Sequence, residues 1–356
     1  MAQINKSSEY FNTVLYTGDG NSTKSISGVG FQLDWNWTKC RSTAYNNIVM
    51  DSVRGFGTGK KLSPNATTEE GSATNVEDGG GYITTTSSDG YDLGTTDVAN
   101  NVHFNKSGQT YASWNWLAGG TASSNTDGSI TSTVSANTTS GFSIVSYTGN
   151  NTAGATVGHG LSQEPDVIIF KNRSDGTTSW CVYHSAKGTS GTGRLNTTNS
   201  FSDTAFITTT PSSSVFTLTN TAIVNGSGNN MIAYCFAEKK GFSKFGSYTG
   251  NGSSTDGTFI YTGFKPAFVM VKRTDAAEGW GMFDDKRDTY NPVMKRVEAN
   301  DSAAERTDLI WYDFLSNGFK ARQSYDLINA SGGSYIYMAF AENPLVGTNN
   351  IPATAR

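Results

Sequence analysis

Histidine, cysteine and clustered carboxylates are the side chains from which most active sites are built, and this chain spreads them thinly. His103, His159 and His184 are its only histidines. None stands in the His-x-x-His or His-Glu-x-x-His spacing that would bring two imidazoles to one metal. Cys40, Cys181 and Cys235 cannot all pair with one another, have no metal-ligand spacing and fall in strand-like runs, which predicts buried thiols. Asp284, Asp285 and Asp288 would suit calcium or the carboxylate pair of glycoside hydrolysis. The equivalent stretches Val49-Met50-Asp51 and Val182-Tyr183-His184 keep at most one acid, so a solvated loop is the expectation. Gly57-Thr58-Gly59-Lys60-Lys61 lacks the spacing and the following Ser or Thr of a phosphate loop. No catalytic, metal or cofactor residue emerges, and the chain is expected to be non-enzymatic.

The most regular charged feature is basic. Lys39-Cys40-Arg41, Lys171-Asn172-Arg173 and Lys272-Arg273 recur after equivalent apolar runs. An anionic ligand could use such a site. Solvated strand ends paired with acids such as Asp175 or Asp275 are the simpler expectation.

The elements that position these residues are themselves repeated. An opening strand carries Tyr16-Thr17-Gly18, Tyr147-Thr148-Gly149 and Tyr248-Thr249-Gly250. A second strand follows, at Trp35 to Lys39, Val167 to Lys171 and Phe268 to Lys272. An Asn-x-Ser-Gly turn (Asn105 to Gly108, Asn225 to Gly228, Asn329 to Gly332) then leads into a closing run at Tyr111, Met231 and Tyr335. In that turn Asn is expected to cap with its side chain and Gly108, Gly228 and Gly332 to take a positive φ. Tyr147 and Tyr248 lie about one hundred residues apart, an ordinary domain size. The division that follows is unit one, 1–120; a Gly/Ser/Thr-rich linker, 121–140; unit two, 141–240; unit three, 241–346; and a tail, 347–356.

Composition sets the class. The chain has 40 Gly, only 7 Pro and 16% charged residues, and short β-branched and aromatic runs bounded by Gly, Asn and Ser. It is expected to be all-β, three tandem β-sandwich or jelly-roll-like domains, with helical scraps only at 292–300 and 301–308. A net charge of −4 and a pI near 5.4 argue against nucleic acid. No apolar stretch approaches a membrane span, and the N-terminus lacks a secretory signal.

The ending Tyr335-Ile336-Tyr337-Met338-Ala339-Phe340-Ala341-Glu342-Asn343-Pro344 resembles the closing segment of a family of virion proteins from marine tailed bacteriophages. Tyr10 to Gly18, Gly28-Val29-Gly30-Phe31-Gln32 and Tyr111 to Gly120 resemble the same family. The likeness spans residues 10 to 346 and brings no catalytic residue with it. It implies a place on the particle, assembled in the host cytoplasm and exposed at its surface. The sequence departs at Leu33 to Cys40, where the family more often reads Pro-Asp-Phe-Val-Trp-Ile-Lys-Asn. That departure marks Trp35 and Trp37 as a candidate docking surface.

The expectation is a virion structural protein on the tail, a fibre or receptor-contacting component of host attachment. A capsid decoration or head-fibre protein is the alternative, and a glycan-cleaving tailspike ranks last. The expected partners are other virion proteins, a homo-oligomer (a trimer by analogy) and a host surface glycan or protein, with no nucleic acid and no membrane insertion.

Overall fold

β-Branched and aromatic residues separated by Gly, Asn, Ser and Thr favour strands and tight turns. The computed structural model describes residues 4–71 and 80–345 and is built almost wholly of them. The expected tail at 347–356 lies outside the described residues. Helix is confined to single turns, two of them Ala222–Asn225 and Asp326–Asn329. Residues 292–308 are not helical, contrary to expectation. Their backbone is claimed by bridges instead, with Val293 N–H donating to Tyr312 O (2.7 Å) and Arg296 N–H to Arg306 O (2.9 Å). Among the described residues no helix is long and apolar enough to cross a membrane.

Three antiparallel main sheets share one strand order: opening, closing, second, third. In unit one these strands are Phe11–Thr17, Thr110–Trp116, Trp35–Cys40 and Ile48–Asp51. In unit two they are Phe142–Thr148, Asn230–Phe236, Val167–Asn172 and Cys181–His184. In unit three they are Ser243–Thr249, Ser334–Pro344, Phe264–Arg273 and Trp280–Asp284. A three-stranded cap sheet accompanies each, with its first strand at Thr23–Ser27, Thr156–Gly158 and Phe259–Tyr261. Between each main sheet and its cap lies a private core, such as Ile26, Met50, Ile83, Tyr91, Leu93 and Phe104 in unit one. Identical strand order in all three units is what duplication of one module produces.

The 121–140 stretch is not a linker. Ser123–Asn125 and Ser132–Asn137 form a hairpin that extends the unit-two main sheet, the second strand pairing in register from Ser132↔Tyr147 to Asn137↔Phe142. Its Ser and Thr content reads as a linker because only alternate residues, such as Val134, point into the core.

The closing strands are buried on both faces because the second face of every main sheet is also covered. Phe11, Trp35, Trp37, Trp114 and Trp116 of unit one meet Phe142, Trp180, Tyr234 and Phe236 of unit two. Phe245, Phe268, Trp280, Met338 and Phe340 of unit three complete a single shared core. Six of the chain's seven tryptophans lie there. The units are therefore packed around a common centre rather than strung in a row.

Candidate functional site

Two of the repeated motifs explain each other. The side chain of Asn105, Asn225 and Asn329 reaches across to the loop after the opening strand, not to its own turn. Asn105 Oδ1 accepts from Asp19 N–H (3.0 Å), Asn225 Oδ1 from Asn150 N–H (2.8 Å) and Asn329 Oδ1 from Asn251 N–H (3.0 Å). Gly108, Gly228 and Gly332 sit at φ +74°, +72° and +72°, and their N–H groups donate to the carbonyls of Gly18, Gly149 and Gly250. The Gly of each Tyr-Thr-Gly has no room for a side chain. A Cβ there would lie 2.2 Å from Lys106 O, 2.3 Å from Gly226 O or 2.3 Å from Ala330 O. The two motifs form one clamp that fastens opening to closing strand, and its role is structural.

Of the basic strand ends, Arg273 pairs with Asp275 (2.9 Å) as expected, but the three lysines are neither solvated nor open to a ligand. Lys39, Lys171 and Lys272 are fully buried, and each ammonium donates to backbone carbonyls of its own unit and of a neighbour. Lys39 Nζ reaches Ser302 O in unit three (2.9 Å), Lys171 Nζ reaches Thr67 O in unit one (2.6 Å), and Lys272 Nζ reaches Thr198 O in unit two (2.9 Å). The pattern runs once around the molecule. Burial pulls each of the three ammonium groups down to about 8.

Charged chains line two of the three seams. At the unit one–two seam, Arg54 bridges Asp51 and Glu70, Glu70 pairs with Arg173, and Asp51 accepts from Tyr234 Oη (2.7 Å). At the unit three–one seam, Arg287 bridges Asp284 and Glu305, Glu305 takes both arms of Arg41, and Asp284 accepts from Trp114 Nε1 (3.1 Å). Asp284 is thus fully buried, and Asp285 is 1% exposed, which overturns the solvated-loop expectation for both residues. The unit two–three seam differs. The corresponding strand end is His184, whose Nε2 bonds Tyr337 O (3.2 Å) while Nδ1 accepts from Ala186 N–H (3.2 Å). Burial pushes His184 down to about 4 and His103 to about 3.

Trp35 and Trp37 are not a docking surface. They are 2% and 1% exposed, and Trp35 lies 4.6 Å from the rings of both Trp116 and Tyr234 in the shared core. The polar Asn36 and Thr38 beside them are buried too, Asn36 donating to Ser113 Oγ and Asn115 Oδ1 (both 2.8 Å). Cys40, Cys181 and Cys235 are buried free thiols. Among the described residues no three His, Cys, Asp or Glu side chains are grouped to hold a metal ion.

Where the repeats diverge at the surface, unit three stands apart. Phe259, Tyr261, Tyr290 and Tyr325 are the exposed aromatic residues among those described, and all four belong to it. The first cap strand makes the comparison residue by residue. Ile26, Val157 and Ile260 are its buried members, each paired to an aromatic residue of the next strand. The flanking positions are Ser25 and Ser27, Thr156 and Gly158, then Phe259 and Tyr261. Tyr261, 57% exposed, edges a groove of about 420 Å³ running past Gly263 and Pro344 to the connection between units two and three. Glu238 and Lys244, paired at 2.9 Å, offer a carboxylate acceptor and an ammonium donor on its wall. An exposed ring beside paired polar groups can stack against one face of a ligand and hydrogen-bond its edge. Two single-letter differences in a repeat are the signal by which the sequence could have revealed this site.

Fold and seams define an all-β chain whose three modules close on one core. The chain belongs to the family described as a domain of unknown function, DUF7483, whose sequence pattern matches residues 6–344. The match spans all three modules, so the family's unit is the triplicated body. No curated protein and no solved structure matches the chain.

Proposed function

We propose that the chain is a non-enzymatic structural protein of a tailed-bacteriophage particle, carried on the tail, where unit three contacts a glycan of the host surface. The observation that carries this reading is the confinement of exposed aromatic residues to unit three, one of which, Tyr261, edges a groove. Units one and two turn their aromatic residues inward and serve as the rigid body on which the contact is held. The resemblance of the closing strand to virion proteins supports the location. A capsid decoration role is the second reading. It is favoured by the threefold body within one chain, which matches a threefold site on a lattice without a fibrous shaft.

Immunogold labelling of intact particles with antibody raised against residues 141–346 separates the two. Label on the tail supports the attachment role, and label across the head replaces it with decoration. Particles without label, from a lysate that contains the protein, would remove both.

A further inference from the structure

Unit three also holds a polar cleft of about 450 Å³ that shares no residue with the Tyr261 groove and is closed on one side by Thr198 of unit two. Its wall is rigidly built. Arg296, 3% exposed, lies with its guanidinium carbon 4.3 Å from the centre of the Trp311 ring and bonds Glu298 at 3.2 Å, while its Nε has no partner among the described residues. Trp311 in turn meets Tyr325 edge-on, at 5.4 Å and 88°, which fixes the half-exposed phenol at the mouth. Arg306 pairs with Asp301 at 3.6 Å on the rim. Glu278 is half-buried and makes no ion pair within bonding distance among the described residues. Burial, with Asp326 and Glu298 nearby, pushes its carboxyl upward, and its oxygens are free to accept from a ligand hydroxyl.

The two guanidinium groups are neutralised inside the cleft by Glu298 and Asp301, so a charged ligand gains little from it. A dense set of donors and acceptors beside one fixed aromatic face remains, and this suits a ligand with many hydroxyls and an apolar C–H face. We propose that the cleft binds a neutral hexose residue, its C–H face on Tyr325 and its hydroxyls on Glu278, Glu298 and Arg306. This deepens the glycan-contact reading and rests on it, but at separate residues.

The test is saturation-transfer NMR on the full chain with maltohexaose, mannohexaose and galactohexaose, and with oligogalacturonate as the charged control. At least one neutral probe is expected to respond, and Tyr325→Ala or Glu278→Gln to weaken that response about tenfold or more. Tyr325 is exposed and Glu278→Gln keeps its shape, so both variants should fold. Silence from every neutral probe, a response only to the uronate, or a response that survives Tyr325→Ala overturns the proposal. Tyr261→Ala keeps the two sites apart. Loss of binding there with Tyr325→Ala unaffected leaves the groove standing and removes the cleft, and the reverse leaves the cleft and removes the groove.

Discussion

Replacing Lys171 by Met removes an ammonium while keeping most of the side-chain volume, and the structure says what is left behind. Lys171 Nζ donates to the carbonyls of Thr67 (2.6 Å), Asp175 (3.2 Å) and Thr178 (2.9 Å). Without it, buried acceptors lose their partner at about 1–3 kcal/mol each. Relief of the buried charge, worth several kcal/mol, offsets part of that loss. A net destabilisation of about 3 kcal/mol follows, and a fall in Tm of about 4 °C for a chain of this length unfolding as one body. Urea unfolding followed by tryptophan fluorescence reads this directly, because six of the seven tryptophans sit in the shared core. Lys39→Met and Lys272→Met should cost the same within about 1 kcal/mol, since each ammonium occupies an equivalent place on a seam. Lys6→Met, at an exposed pair with Glu9, is the control and should change little. The pH dependence has a defined sign. Below about pH 8 these lysines are charged folded and unfolded; from about 8 to the ordinary value of 10.5 the unfolded chain holds more protons. Their contribution to stability therefore rises with pH across that window, and each Met variant flattens the rise. A Lys171→Met protein as stable as the parent would refute the seam reasoning.

Trp35→Ala should cost about 3–5 kcal/mol and weaken all three units together, because the ring touches residues of two units in one core; calorimetry checks it. Gly149→Ala should destabilise by more than about 2 kcal/mol and Gly228→Ala by about 1, since the first meets Gly226 O at 2.3 Å and the second meets nothing but carries φ +72°. Chemical denaturation of both variants orders them, and equal costs would contradict the clamp. His184 is held at about 4 when folded and returns to 6.5 when unfolded, so stability is lost as pH falls between those values, by up to about 3 kcal/mol. His184→Gln should remove that part of the acid limb, measured as the difference between the two stability profiles.

Much of this architecture is legible in the residues. Tyr-Thr-Gly and Asn-x-Ser-Gly mark strand ends because backbone geometry allows only glycine at their close contacts, and all-β follows from short β-branched runs. What is not legible is which face of a fully apolar strand meets another unit. Trp35 and Trp37 look like an altered surface because a strand buried on both faces carries no alternation to mark its inner side. Lys171 reads as a solvated strand end because its acceptors are backbone carbonyls, one of them Thr67 far along the chain, and carbonyls leave no trace in residue type. Asp284 reads as a loop acid for the same reason, since Arg287 and Glu305 explain it only after folding. Tyr261 is visible only by aligning Phe259-Ile260-Tyr261 with Ser25-Ile26-Ser27 and Thr156-Val157-Gly158, a comparison that needs the register of each cap strand.

The most direct test of the functional account is competition for adsorption. Purified protein is added to the bacterium on which the particle grows, and free particles are counted over time. The account predicts that the parent chain slows adsorption, and that a Phe259→Ser, Tyr261→Ser double variant, which copies the unit-one residues at those positions, does not. Undiminished blocking by the double variant, with its fold verified, would contradict the assignment of unit three as the contact surface.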